Sequence, residues 1–85
     1  MTRGALDRYV MRIRLKLMGM LKARTPEGGV LEIADGATIG DALHALGLAP
    51  QATHVVTVNG QVERDRRRAL APNDELTIIP PVGGG

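Results

Sequence analysis

The chain contains no cysteine, no tryptophan and no phenylalanine, and Tyr9 is its only aromatic residue apart from two histidines. Without a thiol there is no disulfide, no thiolate metal site, no cysteine nucleophile and no carrier chemistry resting on a side-chain sulfur. Without aromatics the stacking platforms of common single-strand nucleic-acid binders are missing, so nucleic acid is not expected as a partner. The core must then be built from Leu, Ile, Val, Met and Ala. No apolar run approaches the length of a membrane span, and the segment 1–8 lacks the apolar stretch of a signal peptide. The expectation is a cytoplasmic protein with no membrane partner. His44 and His54 have no histidine or cysteine at ligand spacing, which predicts surface or structural roles and no metal site. Lysine is scarce as well: only Lys16 and Lys22 are present.

The 85 residues that remain to be explained suit one small domain, and 44% apolar content argues against disorder. The net charge of +2 hides an uneven distribution. Arg3, Arg8, Arg12, Arg14, Lys16, Lys22 and Arg24 crowd the first part, and the middle is acidic through Glu27, Glu32, Asp35, Asp41 and Glu63. A basic knot follows at Arg64-Asp65-Arg66-Arg67-Arg68. It reads first as a solvated loop. Its functional alternative is that Arg64, Arg66, Arg67 and Arg68, or the Arg12-Arg14-Lys16 face, steer docking onto an acidic partner.

Met11-Arg12-Ile13-Arg14-Leu15-Lys16-Leu17 alternates apolar and cationic residues, the period of a strand with one buried face. Residues 18–24 fit either an extension of that strand or an irregular turn, with Met18 and Met20 expected as core filling in preference to an adaptable contact surface. Pro26-Glu27-Gly28-Gly29 reads as a turn, and residues 30–33 as a second strand pairing back as a hairpin. Thr38 is a good helix N-cap, with Asp41 three residues on as its capping-box partner. Ile39, Ala42, Leu43 and Leu46 then form one apolar stripe. Gly47 supplies a left-handed end, Leu48 folds back, and Pro50 forbids continuation. His54-Val55-Val56-Thr57-Val58 is strand-like, and Asn59-Gly60 predicts a tight hairpin turn into residues 61–63. Leu70 is a lone apolar anchor, Ala71-Pro72-Asn73-Asp74 a turn, and residues 75–79 the last strand. Asp74-Glu75 reads as turn and strand-edge solvation rather than an acid–base pair. The order β-β-α-β-β-β predicts an α+β fold of the β-grasp (ubiquitin-like) kind. Its mixed sheet has four to five strands, one main helix lies across it, and the last strand sits beside the first.

The ending Ile79-Pro80-Pro81-Val82-Gly83-Gly84-Gly85 carries the most information. Three terminal glycines add nothing to stability, because glycine loses the most backbone entropy on ordering. Such a tail is narrow and sterically bare, suited to threading into another protein's active site with a carboxylate at its tip. Pro80 and Pro81 fix φ and hold the base extended. The alternative is an inert frayed terminus. The predicted organisation is an N-terminal extension over 1–9, a folded domain over 10–82 and a flexible tail over 83–85.

From Met11 onward the chain resembles the ubiquitin-like sulfur carriers of the MoaD/ThiS family, among them the small subunit of molybdopterin synthase. The resemblance rests on Gly36-Ala37-Thr38-Ile39-Gly40-Asp41-Ala42-Leu43, Val58-Asn59-Gly60, Asn73-Asp74-Glu75-Leu76 and, above all, the ending. Asn73 stands where the family often has Gly, Gly83 where it often has Ala or Ser, and Ile78-Ile79 where many molybdopterin-type members carry an aromatic. The Pro-Pro-Val ending and long first hairpin are nearer the molybdopterin than the thiamine type. The resemblance implies that Gly85 is adenylated and converted to a thiocarboxylate. Gly83 and Gly84 would pass a narrow channel, and Pro80, Pro81 and Val82 would project the tail. It implies a protein cosubstrate rather than an enzyme, with no bound cofactor and with ATP used by the activating enzyme. The implied partners are an adenylating enzyme of the ubiquitin-activating kind, a sulfur donor enzyme, and the molybdopterin synthase large subunit or thiazole synthase. Two alternatives stand beside it: a modifier joined through Gly85 to target lysines, and a plain interaction module with an inert tail.

Overall fold

The computed structural model describes residues 9–48 and 55–81. Strand β1 (Val10–Leu17) alternates strictly, with Met11, Ile13, Leu15 and Leu17 buried and Val10, Arg12, Arg14 and Lys16 exposed. Two 3-10 turns, Gly19–Arg24 and Glu27–Gly29, lead to β2 (Val30–Ala34). The two strands pair antiparallel, from Val10 opposite Ala34 to Arg14 opposite Val30. Residues 18–24 thus resolve as a turn, which buries Leu21 in the core. Met20 corrects the expectation of core filling: it is 80% exposed, because the turn spends its inward position on Leu21.

Helix α1 (Ile39–Ala45) is closed at both ends as the sequence dictates. Asp41 N–H donates to Thr38 Oγ1 at 3.1 Å, and Thr38 N–H donates to Asp41 Oδ2 at 2.9 Å. At the other end Gly47 takes φ +73°, its N–H donating to His44 O, and Leu48 N–H donates to Leu43 O, both at 2.9 Å. That pair of bonds is a Schellman closure. Arg24, from the first 3-10 turn, adds Nη1 to Gly47 O at 3.3 Å, a cation at the negative end of the helix.

Strand β3 (Val55–Val58) turns through Asn59 (φ +53°) and Gly60 (φ +85°) into β4 (Gln61–Val62). Both central residues carry the positive φ of a type I′ turn. Glu63 N–H donates to Val56 O at 2.9 Å, so the pairing runs one residue past β4. The expected start of β3 at His54, and Pro50, lie outside the described residues. Strand β5 (Glu75–Ile79) completes a mixed five-stranded sheet ordered β2-β1-β5-β3-β4. It runs parallel to β1 and antiparallel to β3. Ile13, Ile39, Val56, Leu76 and Ile78 are the largest fully buried side chains among the described residues, and Leu70 joins them in the core as the expected anchor. Each such aliphatic side chain contributes about 1.5–3 kcal/mol on leaving water. This is the ubiquitin-like β-grasp arrangement, with the last strand at the centre beside the first. No helix among the described residues is long and apolar enough to cross a membrane.

Candidate functional site

The site begins where β5 leaves the sheet. Leu76 and Ile78 are fully buried, which fixes the strand between β1 and β3. Leu17 stands opposite Ile78 in the ladder, and Met18 N–H donates to Ile78 O at 3.0 Å. Ile79 pairs with Val55 on the other side. Pro80 then ends the pairing, because it has no N–H to donate. Pro80 is half-buried and Pro81 exposed. Gly19, at φ +56°, lies against the Pro80 ring: a Cβ on Gly19 would stand 3.2 Å from Pro80 Cγ. The tail root is therefore held by the sheet on both sides and by a turn underneath.

Val82, Gly83, Gly84 and Gly85 lie outside the described residues. Their reach follows from chain geometry alone: four residues span at most roughly 14 Å. Neither the domain boundaries expected at residues 9–10 and 82–83 nor the roles expected of these four residues follow from the described structure.

The arginine loop has a role that charge counting missed. Ile39 N–H donates to Arg68 O at 3.0 Å, and Gly40 N–H donates to Arg66 O at 2.9 Å. With Thr38 Oγ1 serving Asp41, the first three N–H groups of α1 are all satisfied, two of them by this loop. An isolated bridge between Thr38 and Ala69, and Leu70 N–H donating to Ala37 O at 2.8 Å, hold the loop in place. The knot is thus a cap as well as a solvated loop.

Its charge is partly spent within the loop. Arg68 Nε lies 3.4 Å from Glu63 Oε1, and Arg67 Nε 3.4 Å from Asp65 Oδ1. Arg66 is half-buried and reaches Glu63 O through Nη1 at 3.3 Å. Arg64, Arg67 and Arg68 are exposed. Asp65 is held below its ordinary pKa, chiefly by the backbone N–H of Arg67 at 2.9 Å; desolvation opposes this, and the Arg67 guanidinium adds smaller lowering effects. Four arginines against two carboxylates leave the loop cationic.

On the open face of the sheet, Arg12 Nε meets Glu32 Oε2 at 2.9 Å, while Arg14 and Lys16 continue the basic row toward the tail root. The arginine loop leaves β4 at Glu63, which bonds to Val56 beside Ile78, and crosses from there to the start of α1, where Arg66 and Arg68 cap the helix. His44 is exposed on α1, and His54 lies outside the described residues. Asp74 serves the loop, accepting from Asn59 Nδ2 at 2.9 Å and Ala71 N–H at 2.8 Å. No group of His, Asp and Glu among the described residues is arranged to hold a metal ion.

A mixed five-stranded sheet with one main helix and a central last strand that runs into two prolines defines a ubiquitin-like β-grasp protein. The sequence profile of the ThiS family matches residues 15–85, and the chain belongs to that family. Its fold is similar to that of the Haloferax volcanii HVO 2177 protein, with 26% identity, a TM-score of 0.70, and 93% of this chain and 91% of that one covered. It is also similar to SAMP1 from Haloferax volcanii, at 30% identity and TM-score 0.62, over 87% of this chain and 99% of that one. The Caldiarchaeum subterraneum ubiquitin, at 22% identity and TM-score 0.54 over 91% and 100% of the two chains, shares the fold. No curated protein matches the chain. Membership of the ThiS family brings with it partnership with activating enzymes of the ubiquitin-activating kind.

Proposed function

We propose that this protein is a sulfur carrier whose Gly85 carboxylate is activated and converted to a thiocarboxylate. The observation that carries the reading is a β-grasp domain of the ThiS family whose central strand ends at Ile79 and is followed in sequence by Pro80-Pro81-Val82-Gly83-Gly84-Gly85. A carboxylate is a poor electrophile, because it is anionic and resonance-stabilised. In the partner's site a Gly85 oxygen attacks the α-phosphorus of ATP and pyrophosphate leaves. The persulfide of a sulfur donor then attacks the acyl carbon, and the C–O bond breaks with its electron pair going to AMP. A thiol reduces the resulting acyl disulfide, leaving the thiocarboxylate on Gly85 and a disulfide on the donor side. The chain brings the acyl group and a path for it. ATP and the machinery belong to the activating enzyme, so the protein is a cosubstrate and holds no cofactor of its own.

The acceptor we favour is the molybdopterin precursor, with the molybdopterin synthase large subunit as partner, on the strength of the Pro-Pro-Val ending and the long first hairpin. Thiazole synthase is the second candidate acceptor. Arg64, Arg66, Arg67 and Arg68 are proposed to steer docking, in a cytoplasmic setting.

A second reading is favoured by the likeness to SAMP1 and to the small archaeal modifier protein 1 of Haloferax volcanii, the latter at 27% identity and TM-score 0.62 over 85% of this chain and 99% of that one. In it the activated Gly85 forms an isopeptide bond with target lysines. The activation step is shared and the acceptor differs. Intact mass after incubation with a cognate activating enzyme, ATP and a sulfur donor separates the readings. Exchange of one oxygen for sulfur at Gly85, dependent on ATP, supports the carrier. Lysine-linked adducts in cell extract support the modifier. No change with a demonstrably active enzyme refutes both.

A further inference from the structure

We infer that Gly19 is a positioning residue for the C-terminal tail: its bare backbone is the seat on which Pro80 rests, and it sets the direction in which the tail leaves. This rests on the proposed role of the tail and adds to it a residue far away in sequence.

Three observations converge on the seat. Gly19 has φ +56°, a conformation that side chains other than glycine, asparagine and aspartate rarely adopt. A Cβ there would stand 3.2 Å from Pro80 Cγ and 3.8 Å from Cδ, so admitting a side chain asks the contact with the ring to open by a few tenths of an ångström. The turn itself is anchored on both flanks. Met18 N–H donates to Ile78 O, and Leu21, whose N–H donates to Met18 O, is buried in the core. The turn therefore resists displacement better than the ring does. Pro80 and Pro81 both have fixed φ, so a backbone shift at the tail root is not taken up by rotation about those two bonds. A carboxylate that must enter a narrow channel is delivered less often when its root points elsewhere.

Gly28 is the matched control, because it shares the left-handed conformation at φ +78° but has nothing within 4 Å of where a Cβ would lie. Gly19→Ala and Gly28→Ala both place a side chain at positive φ, and only the first pushes on the tail root. ATP–pyrophosphate exchange by a cognate activating enzyme would be measured for the wild type, both alanine variants, Pro80→Ala and the Gly19→Ala/Pro80→Ala double variant. Gly19→Ala should lower kcat roughly three- to tenfold with KM little changed, a fraction of the about hundredfold that an ångström of misplacement can cost. Mere destabilisation would instead reduce the competent concentration and raise the apparent KM. Pro80→Ala removes both ring atoms nearest the seat, so in that background Gly19→Ala should cost no more than Gly28→Ala.

Equal effects of the two glycine substitutions, or independent multiplication of Gly19→Ala and Pro80→Ala, would overturn the proposal. Absence of exchange with the wild type would sink the carrier and modifier readings instead. The seat is then judged by amide NMR, at Val82, the first N–H after the prolines. Gly19→Ala should shift that resonance and Gly28→Ala should leave it in place. A Val82 amide indifferent to both refutes the seat whatever the enzyme does.

Discussion

Asn59 shows how much one side chain holds at the end of the sheet. Its φ of +53° is tolerated because it is asparagine. Its amide is used twice: Nδ2 donates to Asp74 Oδ1 and Oδ1 accepts from Glu75 N–H, both at 2.9 Å. Asn59→Ala loses the conformation and both bonds, and should cost about 2–3 kcal/mol in urea unfolding. Asn59→Gly keeps the conformation and loses the bonds, so it should cost about 1 kcal/mol less. Equal losses would mean that backbone strain at this turn is negligible. Asp65 supplies a pH test at the same scale. Its carboxylate is favoured in the folded state by Arg67 N–H and the guanidinium, so its pKa is lowered. A lowered acid pKa means that the stabilisation is present above the unfolded value and is lost as pH falls through the folded one. The Arg67 amide should therefore keep its bonded chemical shift into the acid range where an ordinary aspartate has already protonated, and move only below it. A midpoint at or above the ordinary aspartate value would contradict this.

At the scale of elements, the capping box of α1 is local chemistry with a global load. Seven residues make too short a helix to persist alone, so its ends and its buried stripe must hold it. Thr38→Ala should cost about 1 kcal/mol, and Thr38→Ser much less, in the same unfolding assay. The box, the stripe, the Schellman end, the alternating β1 and the Asn-Gly turn were all legible in the sequence, because each is written in residues at most seven apart. What was not legible is equally physical. The first 3-10 turn has no apolar period to announce it, so Met20 was assigned to the core when Leu21 takes that place. The arginine loop was read by its side chains, whereas its contribution to the fold is made by the carbonyls of Arg66 and Arg68, which any residue carries. The contact of Gly19 with Pro80 joins positions about sixty apart, and only the parallel pairing of β1 with β5 creates it. The prolines of the tail root could be named from sequence; the surface they rest on could not.

For the whole molecule, the proposed chemistry lies outside the buried cluster. Every member of the buried cluster lies between Met11 and Ile78, and the chemistry is proposed for Gly85. Stability and activity should therefore be severable. Removing Gly84 and Gly85 takes away no side chain and leaves every strand pairing of the described sheet in place, so the urea midpoint should stay within error of the wild type. ATP–pyrophosphate exchange with the activating enzyme should fall to background, because the carboxylate now ends about 7 Å short of its place. Binding to that enzyme through the folded surface should survive, weakened by loss of the tail contacts. Ile78→Ala is the converse: it should cost about 2–5 kcal/mol while leaving the terminal carboxylate intact. Its exchange rate at low temperature, where enough of the chain stays folded, should approach that of the wild type. A truncated chain that is still activated would return the protein to the class of interaction modules, with the sheet as its working surface. A truncated chain that loses its fold would mean that the tail is part of the domain, and the separation argued from the buried cluster would fail.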